Sequence, residues 1–267
     1  MTSTRAATGF GALVFGLGIL AMGLVCLVWG KFDPSQAVPK DFPDRTALAY
    51  AAAVFMFVCG AATAWRRTAT RGAIALAAYF AIVVAILMDG RGVIAHYKEY
   101  GSYDNEAEQL ALAAAALIVY ARSAAIDSAL AQRLVRTGQI VFGICAVLFG
   151  GAHFFYLNLT VPLVPEWLPP NQMFWAYLCG VAHIAGGVAI ITGVQARLAA
   201  ILLTIMYALF TPLVHIPIVV ADPHTYFNWT ENALNIALTG AAWVVADSLA
   251  RPWRAGFRFA AREGSAA

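Results

Sequence analysis

Charge is the scarcest feature of this sequence. Only 12% of the 267 side chains are charged, whereas 61% are hydrophobic. Typical soluble domains carry about 25% charged residues, so a soluble fold of this length would lack the polar surface needed to cover itself. Lipid can contact apolar side chains without that penalty. The composition therefore excludes an ordinary soluble protein and predicts an integral membrane protein whose first partner is the lipid bilayer.

Familiar catalytic motifs are also missing. The sequence has no Walker loop, no GxGxxG after a strand, no nucleophile elbow, no HExxH and no CxxCH. The four cysteines form no CxxC and lie within apolar runs, where thiols are usually small packing groups. The net charge of +3 reflects arginines at helix ends, so it gives no reason to expect nucleic acid as a partner.

Long apolar runs, by contrast, are abundant. A membrane-spanning helix needs about 20 mostly apolar residues, and eight stretches qualify. Uncharged runs of this length exclude the alternating pattern of a membrane β-barrel. The predicted fold class is an all-α integral membrane protein with eight transmembrane helices. The predicted spans cover residues 8–30, 46–65, 72–90, 108–126, 137–158, 172–193, 197–221 and 229–249.

The positive charges predict the orientation of these spans. On this topology, twelve of the 17 lysine and arginine residues fall on one side of the membrane. The positive-inside rule then places both termini in the cytoplasm. The first apolar run is longer than a signal-peptide core and is expected to be retained as a helix. The alanine-rich composition favours a multi-pass protein of a bacterial inner (plasma) membrane.

The two halves of the sequence resemble each other at a fixed spacing. The Val-Phe-Gly that ends at Gly16 recurs 127 residues later at Gly143, and Gly60 recurs at Gly187. Each half has an even number of spans, so the repeats are expected to be parallel. The predicted domains are an N-terminal four-helix repeat over 1–126, a C-terminal repeat over 127–250 and a basic cytoplasmic tail over 251–267.

Ionisable groups inside spans are costly in lipid and therefore indicate function. They are concentrated in the second half, near the predicted outer ends of its helices, where they are expected to converge on one outer-leaflet pocket. A vestigial or different site in the first half would use His96, Asp89, Glu106 and Glu108. The predicted catalytic residues are His153, His215 and Glu231, the predicted cofactor-binding residues are His183, Asn235 and His224, and the predicted metal ligands are His153, His183 and His215.

These residue types leave several chemistries open. Imidazoles bind zinc, copper, iron or haem, and histidine transfers protons near neutral pH. A His/Glu pair at a membrane interface also suits quinol oxidation, in which two protons leave with two electrons. The cofactor is therefore unknown, with a quinone and a transition metal as alternatives. A further interpretation is that each histidine only specifies helix packing.

The second half also resembles the DoxX-like family of small four-helix membrane proteins. The resemblance runs from about Val141 to Leu249. It includes the segment Phe149–Phe154, the proline-rich loop Val164–Pro170, and the Arg-Leu-Ala-Ala that begins at Arg197. The chain would be a tandem, double-length member. Relatives include subunits of thiosulfate:quinone oxidoreductases and partners of thiol enzymes, so the resemblance implies a quinone-linked redox role.

Three functional hypotheses follow. The first is a redox-linked membrane subunit, an oxidoreductase component that binds a quinone or metal in the second half and works with a partner redox protein. The second is a non-catalytic assembly factor or scaffold for another membrane enzyme. The third is a small-molecule transporter. Pro212 and Pro217 flank His215 and are expected to kink that helix and open a pocket there.

Overall fold

The structure is a computed structural model that describes residues 9–250, so the predicted basic tail lies outside the described residues. The described part contains eight long helices. Six of them are long and apolar enough to cross a membrane, which confirms a multi-pass membrane protein. The helices are α1 Phe10–Trp29, α2 Arg45–Ala64, α3 Ala69–Ala95, α4 Tyr100–Ser123, α5 Ser128–Phe155, α6 Gln172–Thr192, α7 Ala196–Ala221 and α8 Tyr226–Ser248.

The two remaining helices, α4 and α8, are long enough but more polar than the other six. They are also the most enclosed, since α4 packs against α3, α5 and α8, and α8 packs against α1, α7 and α4. Polar side chains are tolerated at membrane depth when they face protein rather than lipid. Central placement therefore explains why these two helices carry carboxylates and amides.

Two helices begin well before their predicted starts. The fourth span was predicted from residue 108, yet α4 begins at Tyr100, because its polar first turns lie against other helices. The fifth was predicted from residue 137, yet α5 begins at Ser128. There Asp127 caps the helix, and its carboxylate accepts hydrogen bonds from the backbone N–H groups of Ala129 and Leu130. Both extensions are polar, so a hydropathy pattern does not reveal them.

Neighbouring helices form a closed ring. Within each half the helices pack in chain order, α1 to α4 and α5 to α8. Between the halves, α1 packs against α8 and α4 packs against α5, while α4 and α8 touch across the middle. Leucines, isoleucines and valines on the outside remain exposed. These apolar outer faces fit contact with lipid.

Glycines set the closest helix contacts. A Cβ at Gly16 would lie 2.7 Å from the carbonyl oxygen of Gly60, and a Cβ at Gly143 would lie 2.9 Å from that of Gly187. The first contact joins α1 to α2 and the second joins α5 to α6. Such contacts bring backbones within dispersion range, which is the main packing force in lipid.

Both third helices of the halves contain a π-helical segment. In α3 it covers Tyr79–Asp89, and in α7 it covers Thr211–His215. A π segment widens the helix and changes which side chains face the protein interior. In α7 it includes Pro212, whose ring cannot donate a backbone hydrogen bond. The predicted distortion beside His215 is therefore present as a π segment.

Arg136 ties two helices of the second half together. Its guanidinium donates to the carbonyl oxygen of Ile190 at 3.1 Å and to that of Ile191, near the last turn of α6. These carbonyls have no partner within the helix and carry its negative dipole end. An Arg136→Ala change is expected to lower the free energy of unfolding by about 1.5–3 kcal/mol, measured by thermal unfolding in detergent. The exposed Arg133→Ala is the matched control, and equal losses in both would contradict this role.

Candidate functional site

Two of the predicted histidines meet inside the second half. The rings of His153 and His183 lie 5.3 Å apart between centroids, and His183 lies 5.4 Å from Tyr207. His183 is only 3% exposed, and its Nδ1 lies 2.8 Å from the carbonyl oxygen of Cys179 on the same helix. Phe149 and Phe210 surround the ring. The surroundings of His183 are thus mainly aromatic.

The other predicted residues of the second half lie elsewhere. His215 ends the π segment of α7 and is half-buried, while His224 is exposed in the loop before α8. Asn235 donates to the Tyr207 carbonyl at 3.0 Å and to the Thr211 hydroxyl at 2.8 Å, so it fastens α8 to α7. Within residues 9–250, no three His, Cys, Asp or Glu side chains are arranged to hold a metal ion. The metal-ligand roles stay a prediction without a preformed centre.

Glu231 joins carboxylates of the first half. Its helix packs against α4, which carries Asp104 and Glu108, and electrostatic repulsion couples its carboxyl to those two groups and to Asp33 of the α1–α2 loop. We call Asp33, Asp104, Glu108 and Glu231 the carboxylate cluster. The structure therefore groups Glu231 with the first half and leaves the histidine pair apart.

The loop between α1 and α2 folds back into the helices. Asp33, Ser35 and Gln36 are buried although they belong to a connection. Ser35 Oγ donates to Asp33 Oδ1 at 2.6 Å. Hydrogen bonds from three other helices, α3, α4 and α8, hold the loop in place. They run from Gln109 Nε2 to Ser35 Oγ (2.9 Å), from Tyr79 OH to Gln36 Oε1 (3.3 Å), from the Ala37 N–H to Asp89 Oδ1 (2.7 Å) and from Tyr226 OH to the Phe32 carbonyl (2.8 Å).

Burial also changes the acidity of the loop carboxyl. Removal of Asp33 from water raises its pKa, and the two hydrogen bonds from Ser35 oppose that effect only in part. A carboxyl that holds its proton more tightly in the folded chain favours the fold at low pH and loses that contribution as the pH rises.

A cavity of about 780 Å³ opens beside this loop. We call it the loop pocket. Its walls come from the loop, α2 and α3, and are largely apolar, with Phe55 and Tyr79 as aromatic groups and Arg91 and His96 as cationic or ionisable ones. A mostly apolar cavity with a few polar groups is the usual form of a small-molecule site. Phe32, Ala37, Ala52 and Val83 also line the cavity.

The family comparison matches part of the second half. The DoxX family model covers residues 133–216, from the body of α5 to just beyond the π segment of α7. The chain is DoxX-like over this segment. The resemblance inferred from the sequence is therefore confirmed there, and the tandem, double-length arrangement stays a prediction. Neither a curated protein nor a solved structure matches the chain.

The DoxX segment contains a smaller cavity of its own. It measures about 490 Å³ and lies between the α5–α6 loop and the end of α7, with Trp167, Pro212 and Pro217 among its walls. Both cavities thus lie between the first loop of a half and the distal part of its third helix. None of the predicted histidines lines the smaller one. The pocket predicted around the histidines stays a prediction.

Sequence reasoning missed most of the first-half arrangement. Asp33, Gln36 and Tyr79 were not singled out, because a loop and a lone tyrosine carry no spacing signal. Asp89 and Glu108 were named only as members of a vestigial or different site. The sequence does carry one signal for this arrangement. The acidic Glu108 and the amide Gln109 stand side by side at the start of a predicted span. Adjacent polar residues entering a membrane helix require protein partners.

Proposed function

We propose that this chain is a membrane subunit of a redox system that binds a quinone-class molecule in the loop pocket. The observation that carries the proposal is the meeting of an apolar cavity of about 780 Å³ with the buried polar network of the α1–α2 loop. The resemblance of residues 133–216 to the DoxX family implies, beside it, a quinone-linked role. The proposal moves the site from the second half, where the sequence predicted it, to the first.

The pocket has the two parts that a quinone requires. Apolar walls from α2 and α3 suit a ring and an isoprenoid tail, and Phe55 and Tyr79 offer aromatic faces. The Tyr79 hydroxyl is held by Gln36, and Asp89 lies on the same helix. Oxidation of a quinol releases two protons with two electrons. In this proposal the chain positions the ring and receives protons, and a partner redox protein receives the electrons.

The topology belongs to the same proposal. We place all eight helices across the membrane, because α4 and α8 are of spanning length and pack beside six helices that are apolar enough to span. In this proposal the protein lies in the inner membrane of the cell. The arginine distribution then puts both termini on the cytoplasmic side. The equivalent helix pairings, the two glycine contacts and the two π segments support a pair of parallel four-helix repeats.

The alternative location for the cofactor is the predicted second-half site around His153 and His183. His153 and His183 form a close pair, and the Nδ1 of His153 is buried without a hydrogen-bond partner. A metal held there would need ligands beyond this pair, with His215 as the predicted third. Catalytic roles for His153, His215 and Glu231 and cofactor contacts from His183, Asn235 and His224 stay predictions. Elemental analysis tests the metal hypothesis by comparing the metal content of the purified wild type with that of His183→Ala.

Filling the loop pocket tests the proposal. Ala52 of α2 lines the pocket, so Ala52→Trp is expected to weaken quinone binding at least about tenfold, which corresponds to about 1.4 kcal/mol. The measurement is titration of the protein in nanodiscs with a short-chain ubiquinone analogue, followed by quenching of tryptophan fluorescence or by calorimetry. Calorimetry is preferred for the variants because they add a tryptophan.

The matched control lies on the same helix. Val54 is 49% exposed and does not line the pocket, so Val54→Trp should bind the analogue as the wild type does. Equal affinity in Ala52→Trp would place the quinone elsewhere. Absence of binding in the wild type would reject the redox proposal and leave the assembly-factor and transporter hypotheses, which co-purification of a partner and vesicle uptake assays would separate.

A further inference from the structure

The carboxylate cluster lies where the two halves meet. Asp104 and Glu108 come from α4, Glu231 comes from α8, and these two helices touch across the middle of the ring. Asp104 and Glu231 are separated by 127 residues, which is the spacing of the sequence repeat. Asp33 completes the cluster from the α1–α2 loop. Acidic groups from both halves therefore converge near the contact of α4 with α8.

No cation offsets these charges in the described residues. The single ion pair within residues 9–250 joins His96 to Glu99 at 3.2 Å, away from the cluster. The nearby guanidinium of Arg45 lies over the ring of Phe32, 5.5 Å from its centroid. Asp33 is buried, and the other three carboxylates are partly buried. Carboxylates that are drawn out of water without a counter-charge are energetically unfavourable, because desolvation and mutual repulsion both oppose ionisation. The cluster therefore requires a positively charged ligand or protons.

A neutral side chain points to the same need. Gln109 is 0% exposed, and its amide nitrogen donates to Ser35 Oγ at 2.9 Å. The hydroxyl hydrogen of Ser35 is directed to Asp33 Oδ1, so it cannot serve another acceptor. Gln109 Oε1 and Asp33 Oδ2 are both buried without a hydrogen-bond partner. The groups left unsatisfied at this position are acceptors, and what they lack is a donor.

We propose that the carboxylate cluster is a proton-binding site, in which carboxyls of Asp33, Glu108 and Glu231 share protons at neutral pH. A proton on one carboxyl removes one negative charge and creates an O–H that can donate to a neighbouring acceptor. Gln109 Oε1 and Asp33 Oδ2 are such acceptors. A metal ion is the less favoured ligand, since no three carboxylates in the described part of the chain have metal-binding geometry.

Other ionisable groups face the cluster from the surrounding helices. They are Cys26 of α1, Tyr79 and Asp89 of α3, Tyr100 of α4, Tyr207 of α7 and Tyr226 of α8. The thiol and the phenols are neutral near pH 7, so none of these groups supplies a positive charge to the cluster. Arg45, at the start of α2, acts on Tyr226 and forms no ion pair with a cluster carboxylate. Interacting carboxyls titrate as a group rather than singly. The proton is therefore shared by the cluster and is not assigned to one oxygen.

Infrared spectroscopy tests this site directly. The full-length protein in nanodiscs is examined at pH 7 for the C=O stretch of protonated carboxyl groups, which moves on exchange into D₂O. We expect this band in the wild type, a reduced band in Glu108→Gln and Glu231→Gln, and loss of intensity as the pH is raised. Glu166→Gln, in an exposed loop, should leave the band unchanged. Asp33→Asn provides a third variant if one glutamine variant does not fold.

Two results would overturn the proposal. One is a wild-type spectrum without protonated carboxyls at pH 7, or a band that none of the three cluster variants changes. The other is stoichiometric binding of Na⁺, K⁺ or Ca²⁺ that is lost in Glu231→Gln, because a cation would then supply the missing charge. Neither result depends on the loop pocket, so failure here is separate from failure of quinone binding.

Discussion

Gly240→Ala is expected to give a chain that unfolds roughly 6 °C below the wild type. A Cβ at Gly240 of α8 would overlap the backbone of Phe15 on α1, and neither backbone can move without displacing a helix. Forced overpacking costs about 1–3 kcal/mol and occasionally more, and each kcal/mol lowers Tm by about 2–4 °C at this chain length. Thermal unfolding followed by size-exclusion chromatography measures the effect.

Gly92→Ala serves as the control for this substitution. A Cβ at Gly92 of α3 would meet only the Cβ of Ala37 at 4.0 Å, which is ordinary contact. This variant should unfold close to the wild type, within about 0.5 kcal/mol of stability as is usual away from the core. If Gly240→Ala and Gly92→Ala behave alike, α1 and α8 are not packed as described.

Asp89→Ala is expected to release the α1–α2 loop. Asp89 is 4% exposed, and its Oδ1 accepts the hydrogen bond from the backbone N–H of Ala37 at 2.7 Å. A buried donor left without its partner costs about 1–3 kcal/mol. Amide exchange in the loop, measured by mass spectrometry on peptides covering residues 31–44, should therefore accelerate by about 10- to 100-fold.

The isosteric variant separates the hydrogen bond from the space that Asp89 fills. Asp89→Asn keeps an acceptor oxygen for the Ala37 N–H, so most of the protection should return. Loop peptides that exchange at the wild-type rate in Asp89→Ala would mean that Gln36, Ser35 and Tyr226 hold the loop without it. The loop pocket would then owe its shape to those contacts alone.

Much of the fold could be predicted because a helix that crosses lipid needs a run of about 20 mostly apolar residues. Each of the eight predicted spans overlaps a long helix, and six of those helices meet the length and hydropathy of a spanning segment. The errors fall at polar helix ends, namely the first turns of α4, which are partly buried against other helices, and those of α5, which Asp127 caps. For α4, burial against protein rather than lipid decides the structure. Such burial depends on contacts between distant segments, and a local pattern does not report them.

The candidate site was harder to predict for a related reason. Histidines inside spans draw attention because each is costly by itself, but His183 is accommodated by aromatic neighbours and by the Cys179 carbonyl. The first-half network is assembled from a loop and from α3, α4 and α8, so its members have no common spacing. Glu231 was identified as important, yet its partners lie in the other half of the chain. Proximity of that kind follows only from the packing of α4 against α8.

The contact between α4 and α8 has a consequence for ancestry. If the two halves arose by duplication of a four-helix precursor, the helix equivalent to both α4 and α8 would have met its own copy at a homodimer interface. An acidic residue at the position of Asp104 and Glu231 would then have faced its symmetry mate. Fusion into one chain frees the two positions to diverge, and lets one half add a buried loop without altering the other.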